Sequence, residues 1–388
     1  MATLESEAVV VYEGGRRPAA SPAVTPGPSI ADLTSALGAR GERVPDVAAQ
    51  ARVGVSQSSW GLAIAAYLFL VGVGAGSFFT ATVLDWSGFG LEPSYLTLID
   101  GWSWDWTQAF VLWGPAAAAL GASTHLLHAG KNRFLFYTAG KNPRTSWMAR
   151  GFSILSTFIL VGGLVALGSV VVPEATTEYA LPWRALQAIA ALAALIMAIY
   201  PGMFLRSMPA MPAWNTRLLP GLLTVAAFMT GSLALVVGAT LCSFLAGDSA
   251  VAADMLRALG LLVPLLIVAE AAVLGMYVRE LRGNAKPEAL QAATTWLSGA
   301  WRRRFWIGIV GGALVVPLAL TLVSLGGAAE GLLLAAALCG LLGGFLVPTG
   351  VLAIGIKETP PLVRLSRWRQ LATSGDLPAT ADSEGRAG

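Results

Sequence analysis

Charged side chains are scarce in this sequence of 388 residues: only 12% are Asp, Glu, Lys or Arg, whereas 55% are hydrophobic. A soluble domain of this length carries far more charge on its surface, so the composition excludes that class and indicates a polytopic membrane protein surrounded by lipid. The net charge of +3 does not indicate a nucleic-acid partner, because the placement of the basic residues along the chain accounts for it.

Cysteine and histidine are almost missing, with two of each. Cys242 and Cys339 lie far apart in apolar segments and form no Cys-x-x-Cys pair, so we expect no iron–sulfur cluster and no metal site in this chain. His125 and His128 lie one helical turn apart on the same predicted helix. Bis-histidine haem ligation takes ligands from facing helices, so a haem is not expected either.

The amino-terminal region lacks long apolar runs. Its Arg16-Arg17 pair looks like a twin-arginine export signal, but no hydrophobic segment follows, which excludes that interpretation. Residues 1–57 are predicted to be a flexible tail, and residues 357–388 form a second predicted tail that starts basic and ends polar.

Between the tails, long apolar runs dominate. A helix needs about 20 residues to cross a bilayer, and the runs predict an all-α membrane protein with eight transmembrane helices. Glycines at positions 72, 74 and 76 of the first run favour close helix packing rather than a nucleotide-binding loop, because no strand precedes them. The eight predicted spans are 60–84, 107–129, 148–172, 183–200, 218–246, 256–278, 305–326 and 331–356.

The basic residues are confined to alternate connections between these spans. Of the 25 lysines and arginines, 23 lie in the two tails and in the second, fourth and sixth loops, whereas Arg184 and Arg257 lie beside acidic residues on the other side. An excess of Lys and Arg marks cytoplasmic loops, so both termini are predicted to be on the cytoplasmic side of the cell membrane.

Polar and aromatic residues meet near the predicted cytoplasmic ends of the first spans. The helical rise places Tyr67 ~10 Å and His125 ~7 Å below the surface, with His128 shallower. Trp147 lies immediately before the third span, and Arg133 lies in the loop that leads to it. Such a pocket would suit a quinone head group, with Tyr and His exchanging protons with its carbonyl oxygens. The alternative, that both histidines are interfacial residues facing water, stays open.

One carboxylate lies inside an apolar run. Glu270 is ~16 Å from the predicted cytoplasmic end of the sixth span, where an acidic residue either belongs to a proton path, here with His128, or is protonated and hydrogen-bonded. A rival function follows from these groups, namely a secondary transporter or proton-translocating channel that couples through Glu270 and the histidines. A third possibility is a purely structural membrane anchor. Broken helices at Pro264 and Pro317 would suit a transporter, but Pro115 is the only comparable break in the first four spans.

Three stretches resemble the membrane subunits of the NrfD/polysulfide reductase family. They are WGLAIAAYLFLVGVGAG from residue 60, the block GKNRF…NPRTSWMARGFSIL after the second span, and YPGMFLRSMPAMPAWNTRLLPGLL from residue 200. The similarity covers roughly residues 58–355, and the three stretches occur in the family's order.

The resemblance implies two four-helix bundles, here residues 58–200 and 201–356, in a subunit without its own redox cofactor. Members bind a quinone, which is menaquinone or ubiquinone, in the first bundle. They exchange electrons with a ferredoxin-like iron–sulfur subunit of a respiratory oxidoreductase complex. That complex usually contains a molybdopterin catalytic subunit, so the chain itself is not expected to carry out the terminal reaction.

Residue by residue, Tyr67 matches a position that relatives use for the quinone. His128 stands where many members have an aspartate in an LDLGRP-like motif, and Trp214 matches the family's Trp-Asn…Pro segment. The family's partner docks on the face that carries the second and fourth loops. The resemblance therefore implies that docking residues on this face are Lys131, Lys141, Arg144, Arg150 and Trp214.

Overall fold

The apolar runs form the helices of a computed structural model, which describes residues 55–56, 60–92, 95–99, 102–105, 109–129, 146–172, 179–326 and 331–358. These parts of the chain contain nine helices. They are α1 (Leu62–Trp86), α2 (Ala109–Ala129), α3 (Trp147–Val171), α4 (Ala180–Arg206), α5 (Leu219–Ala246), α6 (Ala250–Arg282), α7 (Pro287–Leu297), α8 (Arg304–Leu325) and α9 (Gly331–Ala353).

Seven of the described helices are long and apolar enough to cross a membrane: α1, α3, α4, α5, α6, α8 and α9. Each of them overlaps one of seven of the eight predicted spans, with ends that differ by up to six residues, because the length of an apolar run is a property of the local sequence. Helix α2 has 21 residues but is not among the seven. It carries His125 and His128 near its end, and the predicted count of eight spans is not confirmed.

Four short strands accompany the helices. Strand β1 (Val55–Ser56) pairs with β4 (Ile356–Lys357), so the segments flanking the helical region are joined antiparallel. Strands β2 (Tyr95–Ile99) and β3 (Trp102–Asp105) form an antiparallel hairpin between α1 and α2, with an irregularity between Thr97 and Ile99. The hydropathy pattern did not predict these strands.

Three further features were missed in the sequence. Helix α7 begins at Pro287, has 11 residues and buries the side chains of Glu288, Ala292 and Trp296, so it is a packed helix too short to cross a membrane. Helices α3 and α8 contain π-helical segments at Phe158–Gly162 and Arg304–Val315. Helix α4 also continues through Pro201 to Arg206, past the predicted division at residues 200 and 201.

Buried apolar side chains form two clusters. The first core joins α1–α4 and includes Phe78, Phe158 and Met197. The second core lies mainly among α5–α9 and includes Trp296 and Tyr277, with additional residues from α1. Because α1 contributes to both cores, the division into two separate four-helix bundles is not established.

The glycines of α1 bring neighbouring backbones together. A Cβ atom at Gly76 would overlap the carbonyl group of Ala227 on α5, and one at Gly231 on α5 would overlap the backbone of α1. On another face, Gly74 of α1 lies against the backbone of Gly114 on α2. The predicted packing role of this glycine run is confirmed.

Candidate functional site: a cavity among the first four helices

A cavity of about 250 Å³ lies among helices α1, α2, α3 and α4. Its lining is mostly apolar and aromatic, with two phenols, one imidazole and one serine hydroxyl. Met148, one of the lining residues, is also 47% exposed, so at this position a single side chain separates the cavity from the outside of the helices. The lining residues are Trp60, Ile64, Tyr67, Leu68, Ala122, His125, Met148, Gly151, Phe152, Leu155, Ser156, Ile159, Tyr200, Pro201 and Phe204.

Tyr67 and His125, predicted from their similar depth to share a pocket, both line this cavity. Their rings stack with centroids 4.9 Å apart and an angle of 28° between the ring planes. Within the described part of the chain the Tyr67 hydroxyl has no hydrogen-bond partner, so it can bond to a ligand in the cavity. The stacked pair therefore offers a hydroxyl and an imidazole side by side.

Tyr200 is the second phenol of the cavity, and its hydroxyl is held in place by the protein. It donates a hydrogen bond to the main-chain carbonyl of Trp147 at 2.8 Å. The ring of Tyr200 lies against Gly151, where a Cβ atom would overlap it. Gly151 thus allows α3 and the Tyr200 ring to approach closely, and this contact shapes one wall of the cavity.

Aromatic rings continue that wall towards the second core. Trp60 stacks on Phe204 with centroids 5.9 Å apart and an interplanar angle of 4°, and Phe204 stacks on Tyr200 at 5.8 Å. On its other side Trp60 contacts Trp214 at 5.2 Å. The row of rings stiffens the cavity wall, since each ring is packed between neighbours.

Trp214 corrects one prediction. Its side chain is only 1% exposed, and its indole nitrogen donates to the carbonyl of Val351 at 2.8 Å. The Trp214 side chain is therefore not available on the surface of this chain, and the structure assigns it to packing rather than to direct contact with a partner. The next residue, Asn215, bonds to the carbonyl of Arg206, so the matched Trp-Asn segment closes the end of α4.

The remaining predicted residues divide into two groups. The guanidinium of Arg150 lies 5.0 Å from the centre of the Trp147 ring, and both residues are in the first turn of α3, next to the cavity. The main chain of His128 lies in α2, but its side chain is outside the described part of the chain, as are the second-loop residues predicted to bind the quinone or the partner, namely Lys131, Arg133, Lys141 and Arg144.

Glu270 occupies a different part of the molecule from the cavity. It lies on the inner face of α6, which packs against α5, α7 and α8, and it is 0% exposed. Within the described residues neither carboxylate oxygen has a hydrogen-bond partner. The hydrogen-bonded role that the sequence left open is thus not seen among these residues.

The cavity also includes residues that the sequence analysis did not assign to the site. Gly151 lies on α3 and Phe204 on α4, whereas Trp60 lies just before the start of α1. One sequence signal could have extended the predicted site. Tyr200 lies at the end of the fourth predicted span, on the same predicted membrane face as Tyr67. Ring stacking and the glycine contact could not be read from spacing along one helix.

Comparisons with known proteins bear on this arrangement. The model of one protein family, described as "Polysulphide reductase, NrfD", matches residues 53–357. These residues include all nine described helices and every residue that lines the cavity. A comparison with curated proteins gives no match.

Proposed function

Since this chain belongs to the NrfD polysulphide reductase family, we propose that it is a membrane subunit that binds quinone in the cavity among α1–α4. In this proposal it exchanges electrons with a ferredoxin-like iron–sulfur subunit of a respiratory oxidoreductase complex, whose catalytic subunit carries out the terminal reaction.

One observation carries the proposal: the stacked Tyr67–His125 pair faces a cavity of about 250 Å³ with apolar and aromatic walls. Ligand pockets usually measure about 300–1,000 Å³, so this cavity suits a single ring system whose remaining part lies outside. An isoprenoid tail would leave the cavity past Met148, which is 47% exposed at the outside of the helices, and would lie in lipid. The size, the apolar walls and the few polar groups all fit a quinone, menaquinone or ubiquinone.

Quinone reduction to quinol takes up two electrons and two protons. The electrons would come from, or return to, the partner subunit, so the residues of this chain have to bind the ring and handle protons. The Tyr67 hydroxyl would donate a hydrogen bond to a carbonyl oxygen of the ring. The neighbouring imidazole of His125 would accept and return a proton, and a second histidine, His128, follows one turn later on α2.

The family assignment and the charge pattern support a fuller arrangement in the membrane. We include α2 as an eighth span, because its 21 residues are long enough to cross and it packs against α1 and α3. The two halves would form two four-helix bundles joined through α1 and α5. With the basic loops in the cytoplasm, both termini and the docking face beside Arg150 would be cytoplasmic, in the cell membrane.

The test measures quinone affinity on the purified full-length chain in lipid nanodiscs, titrated with short-chain menaquinone and ubiquinone analogues while tryptophan fluorescence is recorded. Tyr67→Phe removes one hydrogen bond and should weaken binding about fivefold, which corresponds to roughly 1 kcal/mol. His125→Ala also removes the stacking on Tyr67 and should weaken binding about tenfold.

The matched control is Tyr179→Phe, which removes a hydroxyl from a tyrosine that is 57% exposed and does not line the cavity. We expect its affinity to equal that of the parent chain. Equal affinity in the parent chain, Tyr67→Phe and His125→Ala would place the quinone elsewhere and end the proposal.

A second candidate function, proton translocation through the second core, is favoured by Glu270 alone. A fully buried carboxylate without a hydrogen-bond partner in the described structure is costly to keep in an apolar core and is often a functional group. This function would accompany quinone chemistry if the two were coupled. It would replace quinone chemistry if the chain were a transporter.

A further inference from the structure

A second cavity lies at the other ends of α1 and α4. It measures about 360 Å³ and is lined by Asp85, Trp86, Arg184 and Gln187. Along α1, Asp85 is 18 residues beyond Tyr67, which corresponds to ~27 Å of helix. This polar cavity is therefore near the opposite membrane face from the candidate quinone site, and nothing in the proposed function uses it.

The two charged residues of this cavity do not form an ion pair. Asp85 and Arg184 line the same cavity, yet in the described part of the chain the ion pairs within 4 Å join other residues, such as Arg257 and Asp254 at 3.3 Å. A carboxylate and a guanidinium thus face the same space with a gap between them. Such an arrangement is complementary to a ligand that carries both a positive and a negative group.

The two uncharged residues hold the edges of the cavity in position. The indole nitrogen of Trp86 donates to the side-chain oxygen of Gln187 at 3.2 Å, which links the end of α1 to the first turns of α4. The Gln187 amide group keeps its own N–H donors for a ligand. The Asp85 carboxylate lies against Gly90, so it is held near the turn that follows α1.

The surroundings indicate that the ligand is a lipid. Trp86 is 49% exposed at the end of a membrane-spanning helix, where tryptophan typically lies at the level of lipid head groups. Val83, one turn earlier on the same side of α1, is 44% exposed and continues the surface into the apolar region. A head group in the cavity would place its acyl chains along this surface.

We propose that this cavity binds the zwitterionic head group of phosphatidylethanolamine. The phosphate would bond to the guanidinium of Arg184, and the ammonium group would bond to the carboxylate of Asp85. An anionic lipid such as phosphatidylglycerol would satisfy Arg184 but leave Asp85 unpaired. The quaternary ammonium of phosphatidylcholine cannot donate a hydrogen bond to Asp85. The proposal is independent of quinone binding.

The test compares lipid retention by the full-length chain after purification from vesicles that contain equal amounts of phosphatidylethanolamine, phosphatidylglycerol and phosphatidylcholine. Bound lipids are counted by native mass spectrometry. The parent chain should retain phosphatidylethanolamine in preference to the other two. Arg184→Gln and Asp85→Asn should each lower that retention about tenfold, because each removes a charge-assisted hydrogen bond.

The chain supplies a matched control in Arg257→Gln. Arg257 is the other basic residue on this side of the protein, and it is exposed and already paired with Asp254. Its replacement should leave lipid retention unchanged, and Arg184→Lys, which keeps the positive charge, should keep most of the retention. The melting temperature of every variant should equal that of the parent chain, which verifies that they are folded.

Three results would overturn the proposal. One is equal retention of phosphatidylglycerol and phosphatidylethanolamine by the parent chain. Another is a loss in Arg257→Gln as large as that in Arg184→Gln, which would indicate an unspecific charge effect. The third is retention of phosphatidylethanolamine by Arg184→Gln and Asp85→Asn at the level of the parent chain.

Discussion

The first and second cores contain similar aromatic residues in membrane-length helices, but they use them differently. In the second core the Tyr277 hydroxyl donates to the carbonyl of Ala213 at 2.7 Å, and the Trp296 indole donates to the carbonyl of Gly350 at 3.2 Å. Both side chains are 0% exposed, and Trp296 stacks on Phe305 at 5.2 Å. In the first core Tyr67 lines a cavity, and its hydroxyl bonds to no described residue.

The difference follows from the size of the facing side chains. Small residues line the cavity of the first core, namely Ala122 on α2 and Gly151 on α3, and Gly151 lies against the ring of Tyr200. Small residues allow backbones to approach but do not fill the space between aromatic rings. The second core is filled by leucines, Trp296 and Phe305, so its aromatics stabilise the fold. Helix α1 therefore lies between the first core, which contains the cavity, and the second core, which is filled by side chains.

The largest expected effect on stability comes from disturbing the close contact between α1 and α5, which joins the two cores. Gly76→Ala would force a Cβ atom into the carbonyl of Ala227, and we expect a loss of about 1–3 kcal/mol in the free energy of unfolding. The matched change Gly163→Ala has open space around the new methyl group and should instead stabilise its helix by about 0.5–1 kcal/mol. Thermal unfolding in detergent measures both. Equal melting temperatures for the two variants would contradict the close contact of α1 with α5.

A smaller effect on the fold is expected from making the first core resemble the second. Ala122→Leu adds apolar volume to the lining of the cavity, so it should leave the stability within about 1.5 kcal/mol of the parent while lowering quinone affinity at least about tenfold. Ala116→Leu, on an exposed position of the same helix, is the control and should alter neither. The measurements are thermal unfolding and quinone titration. Unchanged affinity in Ala122→Leu would show that the cavity is not the binding site.

The smallest effect on the fold is expected from Glu270→Gln. The two side chains have nearly the same shape, so the free energy of unfolding should change by less than about 1.5 kcal/mol, and quinone affinity should stay at the parent value. Because an amide cannot release a proton, proton uptake linked to quinone turnover should fall in the assembled complex. Proton uptake equal to that of the parent would remove Glu270 from any proton path and leave it as a buried residue of the second core.

Much of the fold could be predicted from hydropathy alone. The predicted spans 148–172 and 218–246 differ by one residue from the ends of Trp147–Val171 and by at most one from Leu219–Ala246. The hairpin β2–β3 and helix α7 were missed because they are short, and their stability depends on neighbours rather than on a long apolar run. The depth argument placed Tyr67 and His125 at one level, and the structure brings their rings together.

The sequence by itself determined that this is a membrane protein, where most of its helices lie, and to which family it is similar, because apolar run length and short motifs are local properties. Only the tertiary structure decided what each aromatic residue does. Tyr67 and Tyr277 both lie in apolar helices, yet the Tyr277 hydroxyl donates a hydrogen bond to the carbonyl of Ala213, whereas Tyr67 lines a cavity. Trp214 lies near a predicted span end, yet it is buried against Trp60 and Val351. A side chain's neighbours across helices determine whether it fills a core or lines a cavity, and spacing along one helix does not contain that information.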